Sequence, residues 1–317
     1  MKDVGKDYSI FSWISELPEI SVILNADFGA KTTYRVGGRS AAEVSCDDID
    51  TLERLLDLVK DNAIFVLGNG SNTLVSERGW HGIVVVLKGE FQEIAVSGLE
   101  VTLGSAVSLP IAARQLAGQG LAGMEWSVGI PGTVGGAVKM NAGGHGSDTS
   151  SWLKSASVFR KVGDSYQLMT HGAKELEFDY RSSNLSDSDV VVSASFELLE
   201  GDPSASKHAI SEIVAWRREN QPGGQNAGSV FINPDQDHAA RLIESIGLKG
   251  MRIGSAEVST RHANFIQADK GGSADDVFEL IWLVQQDVEK KLGIRLRTEI
   301  KMLGFDSDRV RYLCGEI

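Results

Sequence analysis

The segment Gly129-Ile130-Pro131-Gly132-Thr133-Val134-Gly135-Gly136-Ala137 constrains this chain more than any other stretch. With Asn141-Ala142-Gly143-Gly144 close behind it, glycine is concentrated in one short region. Glycine lacks a Cβ, so it adopts positive φ and lets backbone approach a ligand closely. Such a loop can turn its N–H groups toward an anion such as a pyrophosphate. No Gly-Lys-Ser/Thr ends it, so it is not a Walker A loop, and its glycine spacing is not that of a Rossmann fingerprint. A plain glycine-rich turn at a domain junction is the alternative that this segment alone leaves open.

At 317 residues the chain is long enough for two or three domains around a large core. The formal net charge of −12 argues against a nucleic-acid protein, which needs a basic face. It still permits a small anionic substrate held by a local cluster of Arg and Lys. Cys46 and Cys314 stand far apart, which predicts no disulfide framework or zinc site and fits a reducing cytoplasm. The six histidines show no metal-ligand spacing, so no metal is expected. The first residues carry acids with no long apolar run behind them, unlike a signal peptide. No stretch is apolar enough to span a bilayer, and no membrane partner is expected.

The pattern divides into residues 1–90, 91–203 and 204–317. In the first part, residues 9–24 read as a short amphipathic helix and residues 32–44 as extended, with a bend at Gly37-Gly38. Asp47 or Asp48 caps a helix carrying Ile49, Leu52, Leu55, Leu56 and Val59 at helical spacing. Residues 63–67 form an apolar, buried strand that runs into Gly68-Asn69-Gly70-Ser71-Asn72, a second ligand-loop candidate. With the strand of residues 82–87 this makes a βαβ-type unit. The second part alternates short strands (93–96, 100–103, 155–160, 166–170, 190–198) with one helix at 109–117, an α+β pattern with a mostly antiparallel sheet. A boundary is read at residues 201–206. The third part carries a helix with Ile210, Ile213, Val214 and Arg217, a helix over 239–246 stopped by Gly247, and a long helix from Ser273. Ser273 and Asp276 resemble a capping box, and Gly293 stops that helix. Residues 294–302 alternate as a strand, with Glu299 on its charged face.

Three other places invite chemistry. Tyr180-Arg181 follows an apolar turn, and the plain alternative is a surface arginine. Ser229 stands in a Gly- and Asn-rich stretch, Gly228-Ser229-Val230-Phe231-Ile232-Asn233-Pro234, that is not a nucleophile elbow. A polar turn is the alternative there. On the residues alone Glu299 reads first as a cross-strand ion pair with a neighbouring Arg or Lys. Of the histidines only His262, in Ser259-Thr260-Arg261-His262, is placed near a site.

Taken in order, these pieces resemble the UDP-N-acetylenolpyruvoylglucosamine reductases over residues 29–304. The match includes Tyr34-Arg35-Val36-Gly37-Gly38, both glycine loops, Met140-Asn141-Ala142-Gly143, Tyr180-Arg181-Ser182-Ser183, Gly228-Ser229-Val230-Phe231, Asn233-Pro234 and residues 259–266. The resemblance implies an α+β chain. It has a vanillyl-alcohol-oxidase/PCMH-type FAD-binding fold in two subdomains, followed by a C-terminal α+β substrate-binding domain. The short spacing from Arg181 to Ser229 is similar to the compact variety that lacks an extra tyrosine-bearing loop.

It further implies noncovalent FAD, NADPH as reductant, a small nucleotide-sugar substrate, a cytoplasmic monomer, and a place in peptidoglycan synthesis. FAD is expected on Gly68, Asn69, Gly70, Ser71 and Asn72, and on Gly129, Ile130, Pro131, Gly132, Thr133, Gly135, Gly136 and Ala137. Its adenine end is expected near Tyr34, Arg35 and Val36. The substrate is an enolpyruvyl ether whose carboxylate side gathers negative charge as hydride adds to the terminal carbon. By the family match Arg181 grips that carboxylate, Glu299, if protonated, hydrogen-bonds the intermediate, and Ser229 gives the proton to the other carbon. Tyr180, Asn233, Arg261 and His262 are expected to bind substrate.

Three departures qualify the match. Ile232 stands where many relatives carry a basic substrate contact, which Arg217, Arg218, Lys249 or Arg261 replaces. Lys139 stands where an uncharged residue is common, and the tail after Gly304 has no family counterpart. An FAD-dependent alcohol or sugar oxidase of the same fold is the runner-up, although the first loop lacks the His or Cys that tethers flavin in that class. A catalytically silent flavin or nucleotide-sugar binder is the third reading.

Overall fold

The computed structural model describes residues 20–59 and 63–317. Five strands and one helix come first: Ser21–Leu24 (β1), Ser40–Cys46 (β2), Ile49–Leu58 (α1), Ile64–Val66 (β3), Thr73–Val75 (β4) and Trp80–Leu87 (β5). The sheet order is β1-β2-β5-β3, and β2 and β3 both run parallel to β5, as a βαβ unit requires. Asp48, not Asp47, caps α1, accepting the Thr51 N–H at 2.7 Å. Leu52, Leu55 and Leu56 then face the core. The helix expected over residues 9–24 lies outside the described residues up to 19. From Ser21 the chain is a strand instead, because Val22 and Ile23 are β-branched and pair antiparallel with the open edge of β2. The extended stretch expected from residue 32 begins only at Ser40. Turns precede it, and Gly38 donates to the Ser76 carbonyl at 2.9 Å. The apolar strand β3 is half-buried rather than buried, since it borders the large cavity described below.

The middle of the chain supplies Ile94–Ser97 (β6), Glu100–Gly104 (β7), Leu109–Gly118 (α2), Leu121–Ala122 (β8), Val134–Met140 (α3), Gly143–Gly144 (β9), Ser147–Asp148 (β10), Leu153–Val162 (β11), Ser165–Gly172 (β12), Val190–Glu197 (β13), Leu199–Glu200 (β14) and Pro203–Asn220 (α4). The main sheet, β12-β11-β13-β7-β6, is antiparallel throughout. Its inward residues Val101, Leu103, Val158, Ala194 and Phe196 pack with Leu116 of α2 and with Val134 and Val138 of α3. The helix α4 is mostly polar and offers Ile210 and Ile213 to Ala113, Ala117 and Val128. It therefore rests on this second core, and the third core forms beyond it.

The last third contains Ala239–Ser245 (α5), Arg252–Ile253 (β15), Ala256–Val258 (β16), Ile266–Ala268 (β17), Ala274–Leu292 (α6), Lys301–Leu303 (β18) and Ser307–Cys314 (α7). The apolar face of α6, with Val277, Leu280, Ile281, Val284 and Val288, is the centre of this core. Ser273 caps α6 through the Asp275 N–H at 3.1 Å. Asp276 does not close a capping box. Its carboxylate accepts the N–H and hydroxyl of Ser255, each at 2.7 Å, and so ties α6 to the strands it covers. Residues 294–302 do alternate, with Leu296, Thr298, Ile300 and Met302 buried. They form a ladder only at β18, parallel to β4. The tail belongs to the fold: Phe305 stacks on Phe278 at 4.4 Å, and Leu313 of α7 is fully buried.

Candidate active site

Between these three cores lies a cavity of about 1040 Å³. Both glycine loops line it, as do Arg181, Ser229 and Glu299. The loops are built to meet. Asn69 donates its side-chain amide to the carbonyls of Pro131 at 2.9 Å and Gly132 at 3.2 Å. A Cβ on Gly68 would stand 2.5 Å from the Thr133 hydroxyl. Gly70 turns the first loop with φ +61°, and a Cβ there would meet the Lys31 carbonyl at 2.6 Å. The second loop passes into α3 at Val134, where Gly135 N–H bonds the Ser105 carbonyl at 2.8 Å. Gly136 and Gly144 leave open space on the cavity side, with no atom closer than 3.8 Å to a Cβ at Gly136 and none within 4 Å at Gly144. The buried Ser105 hydroxyl beside them has no protein partner. Close backbone, room where side chains are missing and an unspent hydroxyl are what a flavin dinucleotide needs.

Arg181 occupies the left-handed region at φ +60°, an uncommon conformation for arginine that clusters at functional sites. The turn that holds it is fixed by Asn141, the left-handed C-cap of α3, whose amide donates to the Asp179 carbonyl at 3.0 Å. The guanidinium donates to the Gly143 carbonyl at 2.8 Å, lies over the Tyr180 ring at 5.1 Å, and stands 3.4 Å from the Glu299 carboxylate. That carboxylate is only 14% exposed. Burial pushes its pKa up to about 7, against the downward pull of Arg181.

Ser229 follows Gly228, which turns at φ +76°. The next residues are clamped by Asn264, which exchanges hydrogen bonds with the Phe231 N–H at 2.9 Å and the Phe231 carbonyl at 2.8 Å. The Val230 carbonyl accepts both the Glu299 N–H and the Thr298 hydroxyl at 3.0 Å. The Glu299 carbonyl in turn accepts the Asn72 side-chain amide at 2.8 Å. One hydrogen-bonded chain thus runs from the first glycine loop through Glu299 to the backbone beside Ser229.

Every loop residue expected to hold the cofactor borders the cavity, but Tyr34, Arg35 and Val36 do not. Tyr34 and Val36 are apolar enough to sink into the third core, and Arg35 faces solvent. Tyr180, Asn233, Arg261 and His262 also stand outside the cavity wall. The Asn233 amide reaches the Tyr180 hydroxyl at 3.4 Å. Arg261 spends its guanidinium on the carbonyls of Arg218 and Gln221, at 3.0 and 3.3 Å, at the end of α4. His262 packs edge-on against Phe265 at 4.8 Å. Of the four cations named as replacements at Ile232, only Arg217 lines the cavity, and Lys249 is paired with Glu244 at 2.9 Å. Sequence patterning missed Ser105, His145 and Trp216 as wall residues, because only packing brings the end of β7, the β9–β10 turn and α4 to the cavity. Lys139 also lines the wall, where Asp187 pairs with it at 3.7 Å and with Lys301 at 2.9 Å. Among the described residues no group of acids, histidines and cysteines is arranged to hold a metal, and no helix is long and apolar enough to cross a membrane.

Residues 40–167 match an FAD binding domain family, and residues 220–303 match the family described as UDP-N-acetylenolpyruvoylglucosamine reductase, C-terminal domain. The chain is 41% identical to UDP-N-acetylenolpyruvoylglucosamine reductase 2 of Symbiobacterium thermophilum, over 86% of this chain and 89% of that one. It is 42% identical to the UDP-N-acetylenolpyruvoylglucosamine reductase of Synechocystis sp., over 86% of this chain and 88% of that one. The crystal structure of the reductase from Thermus caldophilus superposes with a TM-score of 0.76 at 33% identity, covering 90% of this chain and 98% of that one.

Proposed function

The chain belongs to the UDP-N-acetylenolpyruvoylglucosamine reductase family, and from that premise we propose that Arg181, Ser229 and Glu299 divide the chemistry of one reduction among them. The fold is the PCMH-type FAD-binding fold followed by the family's C-terminal domain. The protein is an FAD-dependent oxidoreductase that reduces UDP-N-acetylglucosamine enolpyruvate to UDP-N-acetylmuramate for peptidoglycan synthesis, with NADPH as reductant. The oxidase alternative is not favoured by these relatives.

When bound, FAD would supply the redox chemistry that links NADPH oxidation to reduction of the enolpyruvyl double bond. The loops 68–72 and 129–137 would hold it, with the Ser105 hydroxyl as a further donor. Arg181 is placed to take the substrate carboxylate in a two-pronged grip, since its planar fork matches that group. As charge builds on the carboxylate side, the fixed guanidinium gains more from the transition state than from the ground state. Glu299, its pKa raised by burial to about 7, still holds its proton below that pH and in that form donates a hydrogen bond to the same oxygens. Ser229 delivers the proton to the second carbon. A hydroxyl is a weak acid, so the step depends on its being held beside a strongly basic intermediate.

The convergence of these three side chains on the cavity that both glycine loops line is the observation that carries this reading. We assign residues 1–90 and 91–203 to the two flavin subdomains and residues 204–317 to the substrate domain, whose first helix, α4, packs on the second core. A cytoplasmic monomer completes the proposal. The test is spectral. The yellow protein, mixed anaerobically with NADPH, is expected to bleach and to recover its colour on addition of the enolpyruvyl substrate. Recovery only on admission of oxygen would overturn the reading in favour of an oxidase.

A further inference from the structure

At the mouth of the cavity, the last turns of α4 present Trp216 and Arg217 side by side, and both line the wall. Trp216 is 48% exposed. It meets the His145 ring edge-on, with centroids 5.3 Å apart and planes at 88°. His145 sits at φ +53° in the β9–β10 turn and also lines the wall. A large indole braced on one side and open to water on the other is a platform whose burial awaits a flat partner.

Arg217 lies against the second glycine loop, where a Cβ on Gly129 would come within 3.4 Å of its side chain. Its Nε donates to the Gln221 side-chain oxygen at 2.7 Å, and it enters no ion pair among the described residues. Burial alone acts on this guanidinium, making its charge costlier to hold. A half-buried cation without a carboxylate gains most from an arriving anion. The nearby lysines differ, since Lys139 and Lys301 already share Asp187. The helix end itself is secured by Arg261, whose bonds to the carbonyls of Arg218 and Gln221 neutralise the negative pole that would otherwise repel an anion.

We propose that Trp216, His145 and Arg217 form a subsite for a nucleoside diphosphate, with the base stacked on Trp216 and the phosphates on Arg217. This rests on the reading of the chain as a nucleotide-sugar reductase. It also gives the cation missing at Ile232 a replacement. Both the substrate and the dinucleotide reductant carry a nucleoside diphosphate, so the shared chemistry defines the site and experiment separates the sources.

The experiment is calorimetric titration of the oxidised, flavin-loaded protein with UDP and, separately, with NADP⁺. The variants are Trp216→Ala, Trp216→Phe and Arg217→Gln, with flavin absorbance as the check on folding. Loss of the platform is expected to weaken binding about ten- to a hundredfold in Trp216→Ala, with Trp216→Phe retaining most of the affinity. Weakening with UDP alone assigns the subsite to the nucleotide sugar, with NADP⁺ alone to the reductant, and with both to each in turn. Wild-type affinity for both ligands in Trp216→Ala and Arg217→Gln overturns the proposal. A wild-type protein that never recovers its colour with the enolpyruvyl substrate overturns the underlying reading instead.

Discussion

The Arg181 guanidinium stands 3.4 Å from the Glu299 carboxylate, yet burial still lifts that carboxylate to a pKa of about 7. Desolvation outweighs the neighbouring charge, so near neutrality the pair is one fixed cation beside an acid that still holds much of its proton. That is the arrangement a carboxylate gathering negative charge calls for, with one partner attracting and the other donating a hydrogen bond.

The first prediction concerns pH. If protonated Glu299 is the working form, substrate-driven reoxidation of the flavin slows as pH rises through about 7. Glu299→Gln keeps a donor at the same place and removes the titration, so its pH profile should be flat over this range. Stopped-flow absorbance between acid and alkaline limits checks this. Stability follows the same proton. The folded pKa is raised from 4.5 to about 7, so the native state binds the extra proton and wild type loses stability as pH rises through that window. Urea denaturation should show a loss of at most about 3 kcal/mol that Glu299→Gln lacks.

Arg181→Met tests the other half of the pair. Removing the fork is expected to lower kcat/KM about a hundredfold or more while flavin content stays at the wild-type level. Because Arg181 pulls the Glu299 pKa down, the residual activity should lose its proton-dependent limb at higher pH than wild type. An unmoved limb would mean that the two side chains are not coupled.

Gly136 separates folding from cofactor binding. A Cβ there meets nothing closer than the Thr133 hydroxyl at 3.8 Å. In the flavin-free protein Gly136→Ala should therefore be neutral or stabilising by about 0.5–1 kcal/mol, as in any helix. The same methyl fills space reserved for the flavin, so FAD affinity should fall. Thermal melts with and without FAD read the two effects, and unchanged affinity would remove Gly136 from the cofactor site.

Asn72 joins the cofactor loop to the catalytic strand through its 2.8 Å bond to the Glu299 carbonyl. Asn72→Ala forfeits that bond, at about 1 kcal/mol and a melting point lower by about 2–4 °C. Asn72→Asp should be worse, since it sets a carboxylate oxygen against that carbonyl. Equal melting points for the two variants would contradict the bond's role.

The parts of this protein written in local chemistry were legible in its sequence. The glycine loops, the caps of α1 and α6, and the alternation of residues 294–302 depend on neighbours along the chain, and each appears close to where it was expected. The trio Arg181, Ser229 and Glu299 was reachable only through family resemblance, since no spacing rule links residues so far apart. Tyr34, Arg35 and Val36 lie off the cavity wall, because a buried tyrosine and valine serve a core as readily as a ligand. Asp276 kept its helix-start position but found Ser255 across the fold instead of its own cap. Trp216 and His145 carried no local signal, for their meeting depends on α4 packing against the second core.

The most direct test of the account is the Ser229→Ala protein, followed anaerobically through both halves of the reaction. Reduction of its flavin by NADPH should match wild type, while reoxidation by the enolpyruvyl substrate should slow about a hundred- to ten-thousandfold, the range for a lost general acid. Reoxidation at the wild-type rate would show that Ser229 is not the proton donor and that the cavity works through another group.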